Sequence, residues 1–356
     1  MSTWNILYRG SLSSCNYECG YCPFAKTSNT RAELRKDQQE LERFAAWVEV
    51  RQNRIGILIT PWGEALVHQY YRRTMTELSH LPQVYRVSVQ TNLSAALDDF
   101  DGANRDTLAL WTTFHPSQTS LARFAARCEE LDAAGIRYSV GVVGLREHFD
   151  AIEELRRVLR PEVYLWINAF KRESNYYRPE EINRLLAVDP YFHWNLHRYA
   201  SRGKPCCAGE TTFTVDGDGN VRRCHFVDGI IGNIYEENFD DCLKPRTCPA
   251  AACGCHIGYI HRPVLKLNGL YGEGLLERIP SHWPEVVSDF ARGAQPGEGQ
   301  ANTLVHVIVT ATILSAAANG QRMRRSSTSS QSPSPRDNPN HAPTVAEPHP
   351  PQSEPQ

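Results

Sequence analysis

The chain has 356 residues, with 38 Lys and Arg against 40 Asp and Glu. A net charge of −2 gives no polyelectrolyte signature and no electrostatic ground for a nucleic-acid partner. Hydrophobic residues at 41% and charged residues at 22% describe a globular protein of ordinary composition. Cysteine is the outlier: eleven are present, and seven of them fall between Cys206 and Cys255. The opening Met1-Ser2-Thr3-Trp4-Asn5 lacks a charged segment followed by an apolar one, so secretion and a disulfide framework are not expected. Clustered thiols then point to metal sites in a reducing, cytoplasmic setting.

In chain order, the apolar run Trp4–Tyr8 reads as a strand leading into a loop that carries Cys15, Cys19 and Cys22, spaced C-x3-C-x2-C. Three thiolates on so short a loop can grip one metal centre and leave a coordination position open, as catalytic sites do and structural ones do not. A zinc knuckle with a distant fourth ligand is the alternative. A helix follows from about Arg31, with Leu41, Phe44, Ala45 and Val48 at helical spacing. Strands are expected over Arg54–Thr60, Val84–Thr91, Leu108–Phe114, Tyr138–Gly144 and Tyr164–Ala169. Helices are expected over Ser117–Ala134 and around Phe149–Leu159. This alternation predicts an α/β fold with a parallel sheet and helical crossovers.

In such folds the loops at the carboxyl ends of the strands carry the site. Four of them stand out: Thr60-Pro61-Trp62-Gly63-Glu64; Gln90-Thr91-Asn92; Thr113 ahead of Phe114-His115-Pro116; and Val140 to Glu147, which includes Gly144. His115 reads as a turn residue, and Cys128 as a small core residue on an apolar helical face.

Beyond Arg202 the character changes. Cys206-Cys207 precede a hairpin, Thr211–Val215 and Val221–Cys224, joined by an Asp/Gly/Asn turn. Cys242, Cys248, Cys253 and Cys255 follow, a set that would also suit a zinc ribbon. The apolar run at 304–318 is polar-interrupted and short for a membrane span, and the Ser/Pro-rich end is expected to be disordered.

The spacing of Cys15, Cys19 and Cys22 resembles the radical S-adenosylmethionine superfamily. The resemblance implies a partial (βα)6 barrel, a catalytic [4Fe–4S] cluster on these three cysteines, and S-adenosylmethionine as the ligand of its open iron. It further implies that Tyr21 lies against the adenine and that Gly63 and Glu64 bind the methionine amino group, although Trp62 replaces a family glycine. Asn92 (with Leu93 in place of glycine), Thr113 at the ribose and Gly144 on the adenine side complete the implied cofactor contacts.

The spacing from Cys207 through Gly219 to Cys224, with Ile231-Gly232-Asn233-Ile234 after it, is similar to the opening of SPASM and twitch domains. The cysteines downstream depart from the full SPASM pattern. This implies a shortened domain with one auxiliary [4Fe–4S] cluster, its ligands drawn from Cys207, Cys224, Cys248, Cys253 and Cys255, with Cys206 and Cys242 outside the preferred set.

The expected layout is a partial barrel over 1–200, an auxiliary cluster domain over 201–265, a helical or irregular segment over 266–295 and a tail over 296–356. The implied activity is reductive cleavage of S-adenosylmethionine to a 5′-deoxyadenosyl radical that abstracts hydrogen from a substrate. That substrate is expected to be a peptide or protein side chain, oxidised or crosslinked, with a small metabolite as the alternative. A reductase such as flavodoxin or ferredoxin would be a partner; nucleic acid and membrane are not expected. The rival from another class is a zinc-binding interaction protein without catalysis.

Overall fold

β-Branched and aromatic runs separated by amphipathic stretches generate a repeating strand–helix unit. The computed structural model describes residues 3–283, which belong to a unit spanning Met1–Ala294. The expected tail, and the end of the segment before it, lie outside the described residues. The first half runs β1 (Thr3–Arg9), α1 (Arg31–Glu49), β2 (Arg54–Ile59), α2 (Gln69–Ser79), β3 (Val84–Thr91), β4 (Leu108–Phe114), α3 (Leu121–Ala133), β5 (Arg137–Val143), α4 (Phe149–Val158) and β6 (Leu165–Asn168). Short elements follow: α5 (Pro179–Leu186), α6 (Phe192–Asn195), β7 (Tyr199–Ala200) and β8 (Pro205–Cys206). The remainder is β9 (Thr212–Asp216), β10 (Asn220–Cys224), β11 (Val227–Asn233), β12 (Arg246–Thr247), β13 (Ala252–Cys253), α7 (His256–Tyr259) and α8 (Leu267–Tyr271).

β1 to β6 pair in parallel and in chain order, the winding of a barrel rather than of a sheet that reverses at a switch point. The Arg172 guanidinium, just past β6, donates to the Tyr21 carbonyl in the loop after β1 at 2.9 Å, so the loops beyond the first and sixth parallel strands meet. The parallel α/β expectation is met, with the strand order of a partial barrel. The hairpin does not stand apart from this sheet. β9 pairs in parallel with β1, and β10 and β11 continue antiparallel, giving nine strands in the order β11-β10-β9-β1-β2-β3-β4-β5-β6.

Strand alternation divides the core. Ile6, Tyr8, Ile55, Ile57, Leu110 and Ile167 point toward the helices, where Phe44, Leu78 and Phe124 cover them. Leu7, Leu58, Trp111 and Trp166 point to the other face and meet Tyr259, Ile260, Tyr271 and Leu276 from the chain's later segment. That segment is held by a buried carboxylate: Glu277 lies 3.2 Å from Arg86 and 2.8 Å from Arg137, and its carbonyl accepts from Ser139 Oγ at 2.6 Å. Arg86 and Arg137 sit toward the amino ends of β3 and β5, so this plug fills the bottom of the concave face. A side chain on Gly56 would meet Leu276 at 2.6 Å, so its absence lets the plug approach β2. The carboxyl ends of the strands remain for the loops. No helix among the described residues is long and apolar enough to cross a membrane.

Candidate functional site

The cysteine loop starts as a continuation of the sheet. Beyond β1 and β2 the two chains stay paired, with Thr60 N–H donating to the Tyr8 carbonyl at 2.9 Å, Trp62 N–H to Leu12 at 3.2 Å and Glu64 N–H to Ser14 at 3.0 Å. A Cβ on Gly63 would lie 2.0 Å from the Ser14 carbonyl oxygen, so only glycine fits here. Side chains from the α1 region clamp the other flank. Asp37 accepts from Leu12 N–H at 2.8 Å, Glu40 from Ser11 Oγ at 2.6 Å, and Asn29 from the N–H groups of Ser13 and Ser14, each at 2.8 Å. Helix α1 is itself fixed by a capping box between Thr30 and Glu33.

Successive strand ends then reach the loop. After β2, Glu64 is buried and accepts from Thr91 Oγ1 at 2.7 Å, Asn92 N–H at 2.7 Å and Leu66 N–H at 3.1 Å. Burial pushes its carboxyl up and these donors oppose that. No cation is paired with it among the described residues. After β3, Asn92 Nδ2 lies 2.9 Å from Asn16 Oδ1 and 3.8 Å from Cys15 Sγ. After β4, His115 Nδ1 lies 2.8 Å from the Tyr21 hydroxyl and 3.3 Å from Cys19 Sγ. Burial pushes His115 down to about 4, with His148 adding to it, so its ring is neutral and can accept from either. Gln118 accepts from Glu18 N–H at 2.9 Å, and Lys26 donates to the Cys19 carbonyl at 2.9 Å.

Cys15 and Cys22 are half-buried and Cys19 is buried. Burial raises the Cys15 and Cys19 thiols, and the electrostatics of the trio add to this, so the three share one neighbourhood. Tyr17 N–H donates to Cys15 Sγ at 3.4 Å. Among the described residues no three His, Cys, Asp or Glu side chains converge tightly enough to hold a single metal ion. The remaining expected positions are also placed. Thr113 lies near the end of β4 opposite Gly141. Gly144, just past β5, is buried, donates its N–H to the Asn168 carbonyl at 2.9 Å and accepts from the Tyr177 hydroxyl at 2.7 Å. Tyr21 stacks on His115 with ring centres 6.0 Å apart. Sequence reasoning assigned His115 to a turn; its contact with Cys19 and Tyr21 was not readable from a single histidine before a proline.

The second block is assembled by main-chain pairing. β8 pairs with β12, setting Cys206 opposite Arg246, and β7 pairs with β13, setting Tyr199 opposite Cys253. Cys248 bridges to Arg202, and its N–H donates to the Lys204 carbonyl at 2.9 Å. Burial lifts Cys224 to about 11 and Cys253 to about 12, and Cys206 and Cys248 act electrostatically on both. Cys206, Cys224, Cys248 and Cys253 therefore form one group, with Cys255 acting on Cys253 as well. Cys206 was outside the expected ligand set and stands inside this group. Cys207 stands at its margin: Cys206 is the sulfur that acts most strongly on it, and its carbonyl accepts from Glu210 and Thr211. Cys242 instead packs against β11, where a Cβ on Gly232 would lie 2.8 Å from its sulfur.

No family model matches the chain, and no curated protein matches it. Among solved structures the chain is similar to native anSMEcpe with bound AdoMet, at 14% identity over 67% of this chain and 82% of that chain, with a TM-score of 0.45. It is similar to native anSMEcpe with bound AdoMet and Cp18Cys peptide at 15% identity, 67% and 81% coverage and a TM-score of 0.45. It is similar to BtrN in complex with AdoMet and 2-DOIA at 16% identity, 67% and 81% coverage and a TM-score of 0.29.

Proposed function

We propose that this chain is a radical S-adenosylmethionine enzyme whose cofactor site is built on Cys15, Cys19 and Cys22. One observation carries the reading: three thiols on the loop after the first strand share a neighbourhood with Glu64, a buried carboxylate that neutral donors hold and no described cation neutralises. An all-thiol donor set suits iron–sulfur chemistry. An uncompensated buried carboxylate suits an ammonium group, because bringing in the opposite charge removes the cost of its burial. When bound, a [4Fe–4S] cluster would supply the electron that cleaves adenosylmethionine to a 5′-deoxyadenosyl radical.

The chain's own residues do the positioning. Glu64 would hold the amino group of the methionine moiety, with its carboxylate aimed by Thr91 and Asn92. The Asn92 side chain would tie the β3 loop to the start of the cysteine loop. Neutral His115 would fix the Tyr21 ring for the adenine side, with the main chain of Gly144, packed closely by Tyr177, available to the adenine and Thr113 to the ribose. Cys224, Cys248 and Cys253, with Cys206 or Cys255 as fourth, would hold one auxiliary cluster. We infer a peptide or protein side chain as substrate, with a small metabolite as the alternative, and a flavodoxin or ferredoxin as electron donor in the cytoplasm.

The test is anaerobic reconstitution with iron and sulfide, followed by dithionite and adenosylmethionine. The reading expects about four iron and four sulfide per occupied site and formation of 5′-deoxyadenosine. Stoichiometric zinc with no 5′-deoxyadenosine would overturn it.

A further inference from the structure

β1 and β9 stay paired until Arg9 meets Asp216. There both chains leave the sheet. β1 runs through Gly10 and Ser11 into the cysteine loop, and β9 turns at 217–219 into β10, which ends at Cys224. One side chain of α1 touches both departing segments. Glu40 is buried, and its Oε2 accepts from Ser11 Oγ at 2.6 Å and from Ser11 N–H at 3.3 Å. A Cβ on Gly217 would lie 1.9 Å from that same oxygen.

The two glycines of the turn have different work. Gly219 takes the left-handed position, with φ 85°. Gly217 has no positive φ, so the absence of its side chain makes room for the carboxylate rather than for a turn conformation. Lys36 Nζ lies 3.3 Å from Glu40 Oε1 and 3.9 Å from Asp218, but it is exposed and this pairing adds little. The weight falls on the charge-assisted bond to Ser11, the stronger kind, and on the contact with Gly217. Among the described residues, the Asp37 and Asn29 side chains hydrogen-bond the cysteine loop without a bond to the turn.

We propose that Glu40 is a positioning residue that carries the placement of the hairpin turn to the cysteine loop, so that the segment leading to Cys224 and the segment leading to Cys15 are coupled through one carboxylate. A methyl group on Gly217 would push the far end of a flexible side chain, not backbone, and would lift the carboxylate off Ser11, four residues before Cys15. The link does not depend on what the cysteines bind; only its bearing on adenosylmethionine rests on the function proposed above.

The test uses the full, reconstituted chain and follows hydrogen exchange at residues 11–14, with β4 as the gauge of global opening. Wild type is compared with Gly217→Ala, Glu40→Ala, Glu40→Gln, the double variant Glu40→Ala/Gly217→Ala and the control Gly229→Ala, where a Cβ would meet no described atom within 4 Å. The proposal expects exchange at 11–14 to quicken about tenfold or more in Gly217→Ala and Glu40→Ala, the scale of one lost hydrogen bond to a charged group, with β4 unchanged. Glu40→Gln keeps an acceptor for the Ser11 hydroxyl and should lose less. The double variant should match Glu40→Ala, because the new methyl then has no carboxylate to displace. The dissociation constant for adenosylmethionine should rise in the same order. Additive effects in the double variant overturn the proposal, and so does acceleration shared by β4 or a Gly217→Ala chain that exchanges like the control. If Gly217→Ala fails to fold, recovery of folding in the double variant upholds the link and continued failure overturns it. If wild type binds adenosylmethionine and the variants bind it equally well, the positioning role is overturned. Formation of 5′-deoxyadenosine by wild type is scored separately: its absence beside the expected exchange pattern sinks the function alone, and cleavage without that pattern sinks this inference alone.

Discussion

The two cysteine blocks are held in different ways. The first adds a side-chain frame to its main-chain pairing with the segment after β2: Asn29, Asp37 and Glu40 clamp its entry, and Asn92, His115 and Gln118 reach it from two further strand ends. The second is framed by main chain, through the short pairs β8/β12 and β7/β13 and the Arg202–Cys248 bridge. A side-chain frame fixes orientation finely and fails when one donor or acceptor is lost. A main-chain frame tolerates side-chain change and depends on the thiols themselves. The difference suits a site that must orient a reacting molecule beside one that only has to hold its own ligands.

The largest effect is expected at Gly63. In Gly63→Ala the new Cβ would meet the Ser14 carbonyl, and overpacking against backbone that cannot move costs about 3 kcal/mol or more. A markedly lowered melting midpoint and loss of adenosylmethionine binding should follow; a variant that binds as wild type does would show that the two chains are free to separate. Next is Asp37→Ala, which leaves Leu12 N–H and the Tyr70 and Tyr71 hydroxyls without their acceptor. At about 1–3 kcal/mol for an unsatisfied buried group, the loss should be about 2–3 kcal/mol in denaturant unfolding, accompanied by faster hydrogen exchange at residues 11–14. The smallest is Thr247→Ala. Thr247 is exposed and serves β12 through its main chain, so a change within about 0.5 kcal/mol and unaltered iron content are expected. A large iron loss here would erase the contrast between the two frames.

The sequence made the sheet legible because its strands are β-branched and its helices amphipathic. β3 and β4 fall where the residues alone place them, and β1, β2, β5 and β6 differ by one position at one end or both. Helix α2 went unread although Tyr71, Thr74, Met75 and Leu78 mark its buried face at helical spacing, because tyrosine and threonine dilute the apolar signal. β11 went unread because glycine and aspartate interrupt it and none of its residues is fully buried at the sheet edge. The joining of β9 to β1 could not be read either, since parallel pairing across two hundred residues leaves no local mark.

At the site, the cysteine trio and the strand-end positions of Glu64 and Asn92 were legible from spacing and order. The entry of Cys206 into the second thiol group was not, because two adjacent cysteines point to opposite sides of an extended chain and only its pairing decides which faces inward.

The central claim is that the chain carries two separate thiolate sites with different work. It is tested most directly by iron content and 5′-deoxyadenosine formation in anaerobically reconstituted Cys19→Ala and Cys224→Ala, compared with wild type. The account predicts that Cys19→Ala forms no 5′-deoxyadenosine and keeps the second site's iron, while Cys224→Ala loses that iron and still cleaves adenosylmethionine. If either substitution removes all iron, or if Cys19→Ala still forms 5′-deoxyadenosine, the two-site account is contradicted.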